Sequence, residues 1–238
     1  MAVYVMGDIH GEYEMFQEVL DQLSLKETDT LYVLGDIIDR GPHSFKVLMK
    51  LMEMKNVIPL LGNHEWMALE WLKCLSGDNA QTAIMEMPEE KREELLNWQK
   101  NGGRAATDEF HRLSQEQKRA AIQYMEQFLL YKMLTVGEKT YLLVHAGLGN
   151  YHPDKAVEEY TPEELLWEAA DYEREYFPDI CVVTGHTPTW FIESNPAKGR
   201  IYRKHNHIAM DCGAGFEGGR LAAICLDTGE EFYSRQCV

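Results

Sequence analysis

The chain has 238 residues, of which 45% are hydrophobic and 26% charged, a composition typical of a soluble globular protein with a substantial core. Its net charge of −16 argues against a nucleic-acid partner, because a phosphate backbone is bound by clustered Lys and Arg. No apolar run approaches the roughly 20 residues of a membrane span, and a strand-like run directly follows Met1, so we expect neither membrane anchor nor signal peptide. The five cysteines show no C-x-x-C spacing, which predicts free thiols and a cytoplasmic location.

The first half of the chain begins with strand-like runs that end in polar, glycine-flanked loops. Residues 2–6 and 31–34 are two similar runs, and helical spacing over residues 12–23 separates them. This order predicts two neighbouring parallel strands joined by a helix. A third strand is expected over residues 57–61, and Pro59 argues against a central position in the sheet because proline donates no ladder hydrogen bond.

The middle of the chain has a different pattern from the first half. Residues 66–139 contain no clear strand that leads into a polar loop, and a structureless connection of that length would be unusual. We therefore expect a helical insertion or lid, with a capping box at residues 114–117 opening one of its helices. No linker-like composition flanks this segment, so residues 1–238 are interpreted as one domain that contains it. Further strands are expected over residues 140–144 and 181–184, and then in an alternating tail.

Five of the predicted strands deliver carboxylate, imidazole and amide side chains to their loops. Ligands of open α/β sheets bind beyond the carboxyl ends of the strands, so we expect these loops to meet at one place. Carboxylates, imidazoles and one amide oxygen suit Mn, Fe or Zn, whereas structural zinc sites more typically use cysteine clusters. A single such motif is common in ordinary turns, but five together favour a metal site. The side chains are Asp8, His10, Asp36, Asp39, Arg40, Asn63, His64, His145 and His186.

The loop motifs are GDIHG at residues 7–11, GDIIDRG at 35–41, GNHE at 62–65, HAG at 145–147 and GH at 185–186. This series resembles the signature of the calcineurin-like metallophosphoesterases, most closely the compact bacterial and phage branch of the PPP-type serine/threonine phosphatases. The resemblance covers nearly the whole chain, including DCGA at residues 211–214, which is similar to the family's closing D-x-G-A segment. It implies an α/β fold, a metallophosphatase-like α/β/β/α sandwich of mixed sheets with a helical insertion.

The resemblance also implies a cofactor, which is a pair of divalent metal ions. Manganese is the expected metal, and iron or zinc are the alternatives. Two such ions would clamp a phosphate and activate a hydroxide between them for in-line attack, so no covalent phospho-enzyme is needed. Asp8 and His10 would hold the first ion, Asp36 would bridge the two, and Asn63, His145 and His186 would complete the second.

Three further roles follow from the same resemblance. His64 would be the general acid that protonates the leaving oxygen, and Asp39 would orient it. Arg40 would bind the phosphoryl oxygens through its planar guanidinium. The family usually has a second phosphate-binding arginine shortly after a tryptophan. Here Trp167 is followed by no adjacent arginine, and the nearest candidate is Arg174.

The leading hypothesis is a metal-dependent phosphomonoesterase, a serine/threonine protein phosphatase with phosphotyrosine as a further candidate substrate. The nearest alternative is a symmetrical diadenosine tetraphosphate hydrolase. Those relatives tend to have alanine in place of Asp39 and aspartate in place of Glu65, so both positions favour the phosphatase. Other phosphodiesters and small phosphorylated substrates stay open, because the same centre could cleave either bond type. A non-catalytic binding protein on this fold is the alternative of another class, and the presence of His64 argues against it.

Overall fold

The computed structural model describes residues 1–77 and 80–237, and over these residues the strands form two five-stranded mixed sheets. The strands are β1 (Val3–Met6), β2 (Thr30–Val33), β3 (Val57–Pro59), β4 (Tyr131–Val136), β5 (Lys139–Val144), β6 (Ile180–Thr184), β7 (Tyr202–Lys204), β8 (His207–Ala209), β9 (Ala222–Cys225) and β10 (Glu231–Tyr233). The helices are α1 (Tyr13–Leu23), α2 (Ser44–Glu53), α3 (Asn63–Ser76), α4 (Ala80–Met85), α5 (Glu89–Trp98), α6 (Arg104–Arg112), α7 (Gln115–Met125) and α8 (Pro162–Leu166), with a π-helical turn at Gln99–Gly103 and a 3-10 turn at Val157–Glu159.

The first sheet has the strand order β10-β9-β1-β2-β3. β1, β2 and β3 are parallel, with Val5 opposite Tyr32, and α1 connects β1 to β2 as predicted. β3 lies at the edge of the sheet, where the missing N–H of Pro59 costs no ladder bond. β9 and β10, which lie in the alternating tail, form an antiparallel hairpin near the end of the chain.

The second sheet has the order β4-β5-β6-β8-β7. β5, β6 and β8 are parallel, and β4 and β7 run antiparallel at the two edges. Alternation along the strands places one set of side chains between the sheets and the other set under the outer layers. Val5, Tyr32, Leu143, Val183 and Ile224 lie in the cluster between the sheets.

Helices and loops cover the two outer faces. Phe16 and Val19 of α1 and Phe45 and Leu48 of α2 pack with Met6 in the cluster outside the first sheet. The outer face of the second sheet is covered mainly by residues of the 148–177 segment, in a separate buried cluster. The predicted α/β/β/α sandwich of mixed sheets is therefore confirmed.

The predicted helical segment is helical only in part. α3 to α7 end at Met125, and residues 131–136 then form the edge strand β4, with Tyr131 opposite Val144. The expectation of helix up to residue 139 is wrong here, because β4 is a half-exposed edge strand whose apolar pattern is weak. The predicted capping box is present, since the N–H of Gln117 donates to Ser114 Oγ over 3.2 Å.

Two predictions from composition can be compared with the described residues. The five cysteines are free, as their spacing predicted. None of the helices in residues 1–77 and 80–237 is long and apolar enough to cross a membrane.

Leu143→Ala tests the packing between the sheets. Leu143 is fully buried in this cluster, so truncation should lower the free energy of unfolding by about 2–5 kcal/mol. Met133→Ala on β4 is the control, because that side chain is 40% exposed and should change stability by no more than about 0.5 kcal/mol. Urea unfolding followed by circular dichroism measures both, and equal losses would contradict the burial of Leu143.

Candidate metal centre

The loops that follow β1, β2, β3, β5 and β6 meet where the carboxyl ends of the two sheets adjoin. His145, after β5 in the second sheet, donates from Nδ1 to the carbonyl oxygen of Leu34, which directly follows β2 of the first sheet, over 2.8 Å. The backbone N–H of His186, after β6, donates to Asp8 Oδ2, after β1, over 2.9 Å. The five loops thus meet at one place, as expected, and the centre is shared between two sheets.

Asp36 is the carboxylate common to both halves of the centre. Its Oδ2 lies 3.6 Å from His10 Nε2 and 3.9 Å from His64 Nε2, and its Oδ1 lies 3.4 Å from His145 Nε2. Two groups of side chains with metal-ligating atoms contain it, one with His10 and His64, the other with His145 and His186. Burial alone would raise the pKa of Asp36, but the surrounding imidazoles hold it well below its usual value.

The loop that carries Asp36 is held by the buried carboxylate of Glu65. Glu65 accepts backbone hydrogen bonds from Asp36 (2.9 Å), Ile37 (2.8 Å), Ile38 (3.1 Å) and Gly62 (3.0 Å). Burial and then the Asp36 charge raise the pKa of Glu65 to about 7, although the N–H donors act in the opposite direction. Only glycine fits at position 62, since a Cβ there would lie 2.2 Å from Asp36 Oδ1. Sequence reasoning had used Glu65 only to compare relatives and had missed this role.

Three of the predicted ligands form a hydrogen-bonded group on one side of Asp36. Asn63, in the first turn of α3, accepts through Oδ1 from His145 Nε2 (2.9 Å) and His186 Nδ1 (3.0 Å). Burial lowers the pKa of His145, but the Asp36 carboxylate outweighs this effect and raises it to about 10. The charge of Asp36 thus favours a positive charge at this position. A bound cation could replace a proton there, because metal binding to such sites releases protons.

The other predicted ligands have polar atoms that face the centre without a partner. Among the described residues, His10 Nε2 and Asp8 Oδ1 are buried and have no hydrogen-bond partner. His10 Nδ1 is used by the carbonyl of Ile38 at 3.1 Å, which directs Nε2 toward Asp36. Buried polar atoms without partners are costly, and a divalent cation is the group that carboxylate, imidazole and amide ligands fit. The donor set therefore fits the predicted metal ions.

Asp211 is a buried carboxylate near Asp8 and was not among the predicted metal ligands. Its Oδ1 accepts from the N–H of Gly213 over 2.8 Å, and its Oδ2 has no partner in the described residues. Burial raises the pKa of Asp211 to about 6, and after burial its charge is the main influence that raises the pKa of Asp8. The signal in the sequence was the 211–214 segment, whose resemblance to the family was noted without a role.

His64 is positioned by two buried side chains. Its Nδ1 donates to Asp39 Oδ2 over 2.7 Å, and the indole Nε1 of Trp98 donates to the same oxygen over 2.7 Å. Burial lowers the pKa of His64, but the charges of Asp36 and Asp39 outweigh burial and leave that pKa raised. Trp98 lies in a segment for which the sequence predicted only helix. Trp98 is fully buried, but its N–H also helps to orient the carboxylate that holds His64.

Arg40 is held from three directions next to His64. Its Nη2 lies 3.2 Å from His64 Nε2, and its backbone N–H donates to the carbonyl of Gly102 over 3.1 Å. Its guanidinium lies 4.5 Å above the ring of Phe216. Gly102 has φ of 114°, and a Cβ there would lie 2.7 Å from Arg40 Cγ, so glycine is required. These contacts with Gly102 and Phe216 were not predicted.

Arg174 lies apart from these side chains. Its Nε is 3.5 Å from Asp171 Oδ2, and its guanidinium lies 5.4 Å from the ring centre of Tyr151. About half of its side chain is exposed. Its contacts among the described residues do not include the predicted metal ligands, so its phosphate contact stays a prediction.

Comparison with known proteins shows which family the chain belongs to. Residues 1–211 match the calcineurin-like phosphoesterase family. The chain belongs to this family. The resemblance seen in the loop motifs is therefore confirmed.

Symmetrical bis(5'-nucleosyl)-tetraphosphatases are among the curated proteins that this chain is similar to. That of Nitrosospira multiformis is 39% identical over 103 residues, which are 41% of this chain and 37% of the relative. That of Nitrosococcus oceani is 37% identical over 103 residues, 41% of this chain and 36% of the relative. The chain thus spans little more than a third of the length of the curated relatives it matches.

Solved structures show the same fold at low identity. One is a candidate diadenosine tetraphosphatase, with a TM-score of 0.63, 21% identity, and coverage of 99% of this chain and 94% of that chain. Another is a protein serine/threonine phosphatase from Saccharomyces cerevisiae, with a TM-score of 0.60, 14% identity, and coverage of 100% and 80%. At these identities the likeness supports the fold and not the substrate.

Phe216→Ala tests how Arg40 is held. Loss of the cation–π contact, worth about 0.5–1 kcal/mol, should lower kcat/KM for p-nitrophenyl phosphate about two- to fivefold. Phe191→Ala is the matched control, because both rings lie against Trp190, at 6.0 Å for Phe191 and 5.7 Å for Phe216, and no contact of Phe191 with Arg40 is described. Steady-state kinetics with Mn²⁺ measures the difference, and equal values for the two variants would contradict the role of Phe216.

Proposed function

We propose that the centre holds two divalent ions that share Asp36, with manganese as the first choice. The supporting observation is the pair of ligand groups that both contain this carboxylate. Asp8 and His10 serve the first ion, and Asn63, His145 and His186 serve the second. When bound, two such ions polarise a phosphoryl group and lower the pKa of water, which is the chemistry that hydrolysis requires.

The residues beside the ions divide the remaining tasks in this proposal. His64 donates a proton to the leaving oxygen, and Asp39 keeps its ring in place by accepting from Nδ1. Trp98 orients Asp39 from the other side. Arg40, held against Phe216, binds the phosphoryl oxygens through its guanidinium. Arg174, whose contacts are with Asp171 and Tyr151, is assigned no step in the reaction.

We infer that the substrate is a small phosphorylated molecule, a symmetrical dinucleoside tetraphosphate. The observation that carries this choice is the identity of 36–39% with symmetrical bis(5'-nucleosyl)-tetraphosphatases over 101 to 103 residues. This reverses the order of the two enzyme hypotheses from the sequence, where the serine/threonine phosphatase came first.

Phosphomonoesters of serine, threonine and tyrosine are the second candidate class, and Asp39 is the observation that favours them. A serine alkoxide leaves only when it is protonated, whereas a nucleoside diphosphate leaves readily as an anion. A histidine that a buried carboxylate holds in place and keeps protonated is therefore most useful when the leaving group is the poorer one. Asp39 is fully buried and bonded to His64, which is the arrangement such a reaction needs.

A substrate panel tests the choice. Diadenosine tetraphosphate, ATP, and phosphoserine and phosphotyrosine peptides are each supplied with Mn²⁺ and again after chelation with EDTA. We expect the highest kcat/KM for diadenosine tetraphosphate, with ADP as the sole nucleotide product. EDTA should abolish turnover, and added Mn²⁺ should restore it. Turnover of the phosphopeptides alone would instead establish the second candidate.

His64→Asn tests the acid role. Asparagine cannot supply the proton, so kcat for an alkyl phosphate should fall by about 10²–10⁴-fold. The metal content, measured by mass spectrometry, should be unchanged. The loss should be larger for an alkyl phosphate than for p-nitrophenyl phosphate, whose leaving group needs less protonation. His43→Asn is the control, because that ring is partly exposed and contacts Glu14. Near-normal turnover of His64→Asn would remove this residue from the mechanism.

A further inference from the structure

Two partly exposed tryptophans border a cavity of ≈ 280 Å³ beside the metal centre. Trp66 is 40% exposed and Trp167 is 37% exposed, and their rings stand perpendicular with centroids 6.5 Å apart. Trp98, Met67 and Asn97 also line the cavity, which we call the tryptophan cleft. Large aromatic side chains at this exposure leave apolar area in water, and next to an active site that area marks a ligand-binding surface.

One wall of the cleft is continuous with the acid side of the centre. Trp66 follows His64 by two residues in α3, so both side chains start from the first turn of the same helix. Trp98 lines the cleft with its ring and donates from Nε1 to Asp39, the partner of His64. The cleft and the proposed general acid are therefore linked through the side chains of Trp98 and Asp39.

The opposite wall is fixed to the metal-ligand side. Trp167 directly follows α8, and the carbonyl of Leu165 in that helix accepts from the N–H of Ala146 over 3.0 Å. Ala146 is the neighbour of His145. The cleft thus lies between the segments that carry His64 and His145, which are the two sides of the centre.

The lining indicates what kind of group the cleft accepts. Glu70 and Glu94 contribute carboxylates that pair with Lys91 at 3.1 and 2.8 Å, so the rim offers no net positive charge to a phosphate. Asn97 is exposed, and its amide makes no side-chain hydrogen bond to any residue that the structure describes. A neutral planar ring with polar edges fits this combination of aromatic walls and one free amide.

We propose that the tryptophan cleft binds one nucleobase of the substrate while the phosphates lie at Arg40 and the metal ligands. The inference rests on the proposed function and specifies how it selects its substrate. The cavity lies just below the range of about 300–1,000 Å³ of drug-sized ligand pockets, so it suits one base rather than two nucleosides. Stacking on aromatic side chains contributes about 1–3 kcal/mol per base, and an Asn amide is a known partner of the adenine edge.

Binding of AMP, compared with ribose 5-phosphate, tests the cleft without turnover. The stacking energy corresponds to about 5- to 140-fold tighter binding of AMP by isothermal titration calorimetry. Trp66→Ala and Trp167→Ala should each remove most of this preference. Trp66→Leu retains more packing volume than Trp66→Ala but has no π face. It should therefore lose the preference for AMP to the same extent, which separates loss of stacking from misfolding. Phe191 is an exposed aromatic residue outside the cleft, so Phe191→Ala should keep the preference for AMP. A preference that survives in the tryptophan variants would overturn the proposal.

Kinetics separates failure of the cleft from failure of the proposed function. The readout is the ratio of kcat/KM for diadenosine tetraphosphate to that for tripolyphosphate, which has no base. We expect Trp66→Ala and Trp167→Ala to lower the ratio by about 5- to 140-fold. An unchanged ratio with active wild-type protein would reject the cleft and leave the function standing. Base-dependent AMP binding at the cleft without dinucleotide turnover would reject the function and leave the cleft standing.

Discussion

The centre depends on the hydrogen bonds that the buried carboxylate of Glu65 accepts from four backbone N–H groups. These bonds join the first turn of α3 to the loop after β2, and they leave Asp36 in a left-handed conformation with φ of 48°. Asp36 then accepts from the backbone N–H of His64 over 3.1 Å, so the carboxylate and the proposed acid are fixed to each other. A carboxylate without these donors would be costly to bury, and the donors without it would be unsatisfied.

The helical segment that connects β3 to β4 is part of this centre rather than a separate cover. Trp98, at the end of α5, donates to Asp39, and Gly102 in the π-helical turn accepts from the backbone of Arg40. Gly102, with φ of 114°, breaks the helical path between α5 and α6. This break brings one indole and one carbonyl to the loop after β2. The segment thereby fixes the two side chains that the mechanism places on the leaving oxygen and the phosphoryl group.

Two features of the same site favour different leaving groups. The buried pair of Asp39 and His64 suits an ester whose oxygen must be protonated, whereas the tryptophan cleft suits a base attached to a polyphosphate. Similarity to the dinucleoside tetraphosphatases favours the second, although it extends over 41% of this chain. A centre that binds the phosphate through metals and Arg40 leaves selection to its rim, because the bond that is cleaved is chemically similar in both cases.

The sequence by itself determined the set of candidate metal ligands and most of the parallel strands. Short strands ending in Gly-Asp, Gly-Asn or Gly-His are local patterns, so Asp8, His10, Asp36, Asn63, His145 and His186 could be selected without coordinates. Only the tertiary structure decided how the strands divide into two sheets, that residues 131–136 are an edge strand, and that Glu65, Trp98, Asp211 and Phe216 support the centre. Trp98 and Asp39 are 59 residues apart in the chain. Such contacts arise from packing between distant segments, and local periodicity contains no information about them.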